Sequence, residues 1–196
     1  MNNRRVEKSI ELSDWIVGRY DALPVICNGR VELAVACYYI TWQHQAAIAR
    51  LCCWGLFAPA TALIRCAWDS YTRGMWLQFA ATPEQLEDFK RTGEIPKDKA
   101  ILTAIQTAIP ETENGFIKAR EAKYSHLSDL THTGISQISN HFVAGEIAAH
   151  LDESTIDEIL RFVEALALAS LSHTALISKN QILAGEAFDR MRELKS

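Results

Sequence analysis

Residues 30–55 read RVELAVACYYITWQHQAAIARLCCWG, and this stretch decides the fold. Its periodicity predicts one long helix from Arg30 to about Trp54, whose length and small residues imply burial on most sides. Gly55 supplies the stop. Upstream, Val6, Ile10, Ser13 and Val17 form the stripe of a first helix that Pro24 and the Asn28-Gly29 turn bring to an end. Downstream, a third helix is expected from about Pro59 to Ala80. Thr82-Pro83-Glu84-Gln85 then has the spacing of a capping box, and Gly93 closes the short helix it opens. Lys97 to Ile109 predicts another short helix before Pro110, and residues from Asn114 through Val143 read as helical with an interruption near Gly134. Ser154-x-x-Asp157 opens a last helix of some thirty residues, with Ile156, Ile159, Leu160, Val163, Leu166 and Ala167 on its buried face. No stretch reads as a strand. The expectation is all-α: an up-and-down bundle of about six to eight helices forming one domain over residues 1–196, its long helices the second, third and last.

The composition bounds the rest. At 196 residues the chain can bury one sizeable core, and 48% apolar against 22% charged residues is ordinary for a globular protein. A net charge of −4 gives no global attraction to a polyanion, so a nucleic-acid role would need a local basic site. The N-terminal MNNRRVEKSIELSDW alternates charged and apolar residues and lacks the apolar core of a signal peptide, so a cytoplasmic protein is expected. The longest uncharged run, Leu33 to Ala49, contains Gln43, His44 and Gln45 and falls short of a membrane span; no membrane partner is expected. The five cysteines, Cys27, Cys37, Cys52, Cys53 and Cys66, include no C-x-x-C pair, and they read as buried reduced thiols with neither disulfide nor metal site.

Two segments carry candidate chemistry. In ALIRCAWDSYTRGMWL, residues 62–77, Arg65, Asp69 and Arg73 are the only charged residues, and their i, i+4, i+8 spacing aligns them on one helix face. If that face is interior, as Leu63, Ile64, Trp68, Met75 and Trp76 suggest, the surplus guanidinium needs an anionic or polar partner. If it is not, the three are a solvated stripe of intrahelical pairs. The second segment is LSDLTHTGISQISNH, residues 127–141. There His132 lies next to Thr133 and one turn from Ser136 and Gln137, neighbours able to hold its imidazole in one tautomer for proton transfer. His141 is a weaker candidate, and His44, His150 and His173 show no constellation. Arg120 and His126 form an R-x5-H spacing of the kind used by metal-independent ribonucleases, although twelve arginines and six histidines produce about one such match by chance.

Together the two segments resemble the signature regions of an uncharacterised bacterial family, with a pattern close to L-R-P-x-x-E-x-Y-x-R-G-x-W-L and later Y-T-H-T-G-x-x-Q. That family is similar to the HEPN-like helical superfamily. The resemblance puts Arg65, Asp69, Tyr71, Arg73 and Trp76 on the first signature and His132, Thr133, Gly134 and Gln137 on the second. Cys66 stands where proline is usual, and Asp69 where glutamate is usual. It implies a bundle that often dimerises, in a superfamily of toxin ribonucleases, toxin–antitoxin and phage-defence components, and inactive members. Two readings follow. In one, the chain is a metal-independent endoribonuclease, with His132 moving a proton, Arg65 and Arg73 stabilising phosphoryl oxygens, Asp69 orienting a guanidinium, and no cofactor or metal required. In the other, it is a non-catalytic homodimeric binding or scaffold module with a polar anion-binding pocket. RNA, a small anionic ligand or a cognate partner protein are the partners these readings imply.

Overall fold

The computed structural model describes residues 3–24, 29–110, 118, 138, 142–143, 146–147 and 151–194. The architecture is an all-α bundle: α1 (Asn3–Tyr20), α2 (Arg30–Cys53), α3 (Phe57–Met75), α4 (Pro83–Thr92), α5 (Asp98–Ala108), α6 (Glu153–Ile177) and α7 (Gln181–Glu193). Where no strand was expected, Phe142–Val143 (β1) and Glu146–Ile147 (β2) form a two-residue antiparallel pair, Phe142 opposite Ile147. A pair this short leaves the class unchanged. It does correct the helical reading at residues 142–143.

α2 ends where its glycine says it should. Gly55, at φ +71°, donates to the Cys52 carbonyl and Leu56 donates to the Leu51 carbonyl at 2.9 Å, the two bonds of a Schellman motif. α3 starts two residues before Pro59, and its last turn widens into a π turn over Trp76–Ala80. Arg30 spans the far end, its guanidinium donating to the Leu77 and Ala81 carbonyls at 2.8 and 2.6 Å, which satisfies acceptors that the helix end leaves open. The capping box at α4 forms as its spacing predicts: Gln85 N–H donates to Thr82 Oγ1, and Thr82 N–H donates to Gln85 Oε1.

The last helix departs from expectation at both ends. Its cap is Asp152, two residues before Ser154, accepting from Thr155 N–H at 2.8 Å and from the Ser154 and Thr155 hydroxyls. These bonds hold the Asp152 carboxyl well below its ordinary value, the Ser154 hydroxyl contributing most. The expected thirty-residue helix is also two helices. Lys179 adopts φ +59°, Asn180 N–H donates to the Ala175 carbonyl at 2.8 Å, and the chain doubles back into α7. The antiparallel hairpin is tied by Ser172 Oγ donating to the Ala184 carbonyl and by Arg161 donating to the Leu194 carbonyl.

Among the described residues the core forms two clusters, which meet along α6. One gathers Tyr38, Ile48, Trp68, Trp76, Ile105 and Leu160; the other packs Ile16, Leu168, Leu171 and Leu183 between α1, α6 and α7. α6 buries Ile156, Leu160, Val163, Leu166 and Ala167 as predicted, with Ile159 only half-buried. At 25 residues, with an 18-residue window of mean hydropathy 1.3, it is long and apolar enough to cross a membrane by length and composition, but 56% of that window is buried inside the bundle. On α1 the buried line runs Val6, Ser9, Ser13, Ile16, Tyr20, so Ile10 and Val17 are displaced to its margin. The serines let α1 approach α2 closely enough for Gln45 to donate to both the carbonyl and the hydroxyl of Ser9 at 3.1 Å. Of the cysteines, Cys52 is buried and Cys37, Cys53 and Cys66 are half-buried; all four are free thiols, and Cys27 lies outside the described residues.

Candidate functional site: the polar face of α3

Successive residues four apart on α3 bring Arg65, Asp69 and Arg73 into one row. Arg65 Nε stands 3.6 Å from Asp69 Oδ2, and the two side chains are 22% and 25% exposed. The face is therefore a boundary and not an interior, which corrects the buried arrangement considered from sequence. Burial raises the Asp69 carboxyl above its ordinary value, helped by Asp98 at the start of α5 and opposed by Arg65 and Arg73. Arg73 itself is exposed and forms no ion pair among the described residues. It lies close enough to Cys37 on α2 to favour that thiolate, although burial dominates and the Cys37 thiol is pushed up.

Tyr71 does not join this row. Two residues along a helix is a rotation of about 200°, and Tyr71 accordingly faces the core, buried. Its hydroxyl lies 3.5 Å from His173 Nε2. The His173 ring stacks on Tyr38 at 5.4 Å and 16°, with Phe79 edge-on at 5.6 Å. Tyr38 in turn donates to Gln78 Oε1 at 2.6 Å. Gly74 makes room for this cluster, since a Cβ there would sit 2.5 Å from the Tyr38 ring. Burial lowers the His173 imidazole to about 4, so it is neutral near pH 7, and its buried Nδ1 has no hydrogen-bond partner among the described residues. Sequence spacing could not expose this constellation, because its members come from α2, α3, the π turn and α6. It is an aromatic packing site that holds a neutral ring.

The face thus assembles Arg65, Asp69 and Arg73 and separates Tyr71 from them. His132, Thr133 and Gln137, and the competing pair Arg120 and His126, lie outside the described residues. Among the described residues, no three His, Cys, Asp or Glu side chains gather as a metal-holding group. Chemically, the row is a neutralised ion pair followed one turn later by a solvent-facing guanidinium, an arrangement suited to holding an oxyanion.

A model of a family of unknown function (DUF6988) matches residues 38–194, a span that takes in all of α3, α6 and α7. No curated protein and no solved structure matches the chain.

Proposed function

We propose that this chain, which belongs to the family of unknown function DUF6988, is a helical binding module that takes a phosphate-bearing ligand on the α3 face without catalysing a reaction on it. One observation carries the reading: Asp69 is engaged by Arg65 at 3.6 Å, while Arg73, one turn on, is exposed with no ion pair among the described residues. An exposed guanidinium beside a half-buried pair offers in-plane donors to an anion without leaving a buried charge when the ligand departs. Metal-independent RNA cleavage needs an imidazole beside the same arginines. That reading assigns the role to His132, and His173 is turned into the ring cluster beside Tyr71. A HEPN-like origin belongs to the same proposal, supported by the all-α order and by the α3 signature.

Pairing of two copies is part of the reading. Trp42 is half-buried against the second core cluster, where its indole N–H donates to the Ser13 carbonyl at 3.0 Å. Trp54 and Leu56, at the α2–α3 turn, are 70% and 48% exposed and are the surface that supports a homodimer. The test of the ligand site is a thermal-shift titration with pyrophosphate. A ligand at a hundredfold excess over its Kd should stabilise the wild type by about 2.7 kcal/mol, and Arg73→Ala should lose that gain. Because Asp69 keeps Arg65, Arg73→Ala should melt at the wild-type temperature without ligand. An equal ligand shift in both proteins overturns the assignment.

A further inference from the structure

Between α1, α6 and α7 lies a cleft of about 550 Å³, a volume within the range that small-molecule sites occupy. Its floor is charged and already satisfied: Arg5 donates through two nitrogens to the two oxygens of Glu164, both at 2.8 Å, and the Glu164 side chain is 2% exposed. Leu12 and the Trp15 ring add apolar surface beside it. Arg161 is engaged as well, by Asp157 at 2.8 Å and by the Leu194 carbonyl. Two cations on the rim differ. Lys8 on α1 and Arg190 on α7 are exposed and form no ion pair among the described residues.

Arg190 is nonetheless held in place. Its guanidinium carbon lies 4.2 Å over the Trp15 ring. Stacking of this kind engages the π faces and leaves the in-plane N–H donors available, which presents a two-pronged donor with little freedom left to lose on binding. The lining carries four cations, Arg5, Lys8, Arg161 and Arg190, against three carboxylates, Glu11, Glu164 and Glu193. Asp157, which engages both Arg5 and Arg161, brings the local charges to balance, so Lys8 and Arg190 are the lining cations without an ion pair among the described residues. A ligand with one negative charge can pair with these two cations, whereas a second charge would meet Glu11 and Glu193.

We infer that this cleft binds a small amphipathic carboxylate, the head group on Arg190 and Lys8 and the apolar body against Leu12 and Trp15. The site is separate from the α3 face: it uses α1, which lies outside residues 38–194, and it leaves Arg73 untouched. Octanoate is the probe, read on the full chain by the indole N–H resonance of Trp15, which Trp15→Phe identifies. Octanoate should shift that resonance saturably, and Arg190→Ala or Lys8→Ala should each weaken binding by about tenfold, as loss of a charge-assisted hydrogen bond does. Both side chains are exposed, and an unchanged melting temperature verifies that the variants fold. Octanol should bind more weakly for want of the charge, and inorganic phosphate for want of the body. No shift with octanoate, equal affinity for octanol, or wild-type affinity in both variants overturns the inference. Pyrophosphate stabilisation through Arg73 is unaffected by any of these results, so the two sites fail independently.

Discussion

Arg5 and Glu164, 159 residues apart in the chain, meet in a two-pronged ion pair at 2.8 Å that fastens α1 to the middle of α6. Asp157 completes the arrangement, accepting from Arg5 Nε at 2.6 Å and sharing its other oxygen with Arg161. Arg5→Ala strands a buried carboxylate, which costs about 3 kcal/mol or more. Urea denaturation should show that loss. Replacing both partners, Arg5→Met with Glu164→Leu, should recover much of it, because the expensive state is the unpaired charge. A single variant as stable as wild type would mean that solvent reaches Glu164 freely.

The turn between α6 and α7 holds a lysine where a glycine fits better. Lys179 sits at φ +59° as the left-handed residue of a Schellman motif, a conformation that crowds its Cβ against the following carbonyl. Lys179→Gly should stabilise the protein by about 1 kcal/mol, measured as a higher denaturation midpoint. Lower stability would show that the lysine side chain contributes more than its backbone costs.

His173 makes stability depend on pH in a predictable direction. Its unfolded value is about 6.5 and burial lowers the folded value to about 4, so between those limits the unfolded chain binds more protons than the native one. Stability is then full above pH 6.5 and falls as the pH drops toward 4. The ring keeps some solvent contact, so the total loss from this group is discounted to about 2 kcal/mol. His173→Phe retains the stacking on Tyr38 and should flatten this part of the curve. Parallel stability curves for the two proteins between pH 4 and 7 would contradict the assignment.

What could be read from sequence was local. The end of α2 and the capping box of α4 were legible because Gly55, Thr82 and Gln85 act on backbone atoms within a few residues of themselves. The break after Ile177 was missed because Lys179 itself carries no turn signal, although Asn180, whose side chain accepts from Leu183 N–H to cap α7, was a local signal for it. The stripe on α1 was read correctly at Val6 and Ser13 and missed Ser9, which is polar by type yet buried against α2, where Gln45 donates to it. At the candidate site, i, i+4, i+8 spacing correctly predicts one row for Arg65, Asp69 and Arg73. Spacing carries no information on how deep the row sits, which depends on α2 and α5. The cleft was invisible for the same reason that Arg5 and Glu164 were: its walls come from opposite ends of the chain.

The most direct test of the binding-module reading is one sample carrying both readouts. A fluorescent single-stranded RNA is titrated with wild-type protein in metal-free buffer, its anisotropy recorded, and the same RNA then run on a denaturing gel. The account predicts binding that Arg73→Glu weakens by about tenfold or more, as loss and reversal of a phosphate-contacting charge does, with RNA of unchanged length throughout. RNA shortened by the wild type and left whole by His132→Ala would contradict it and establish the ribonuclease in its place.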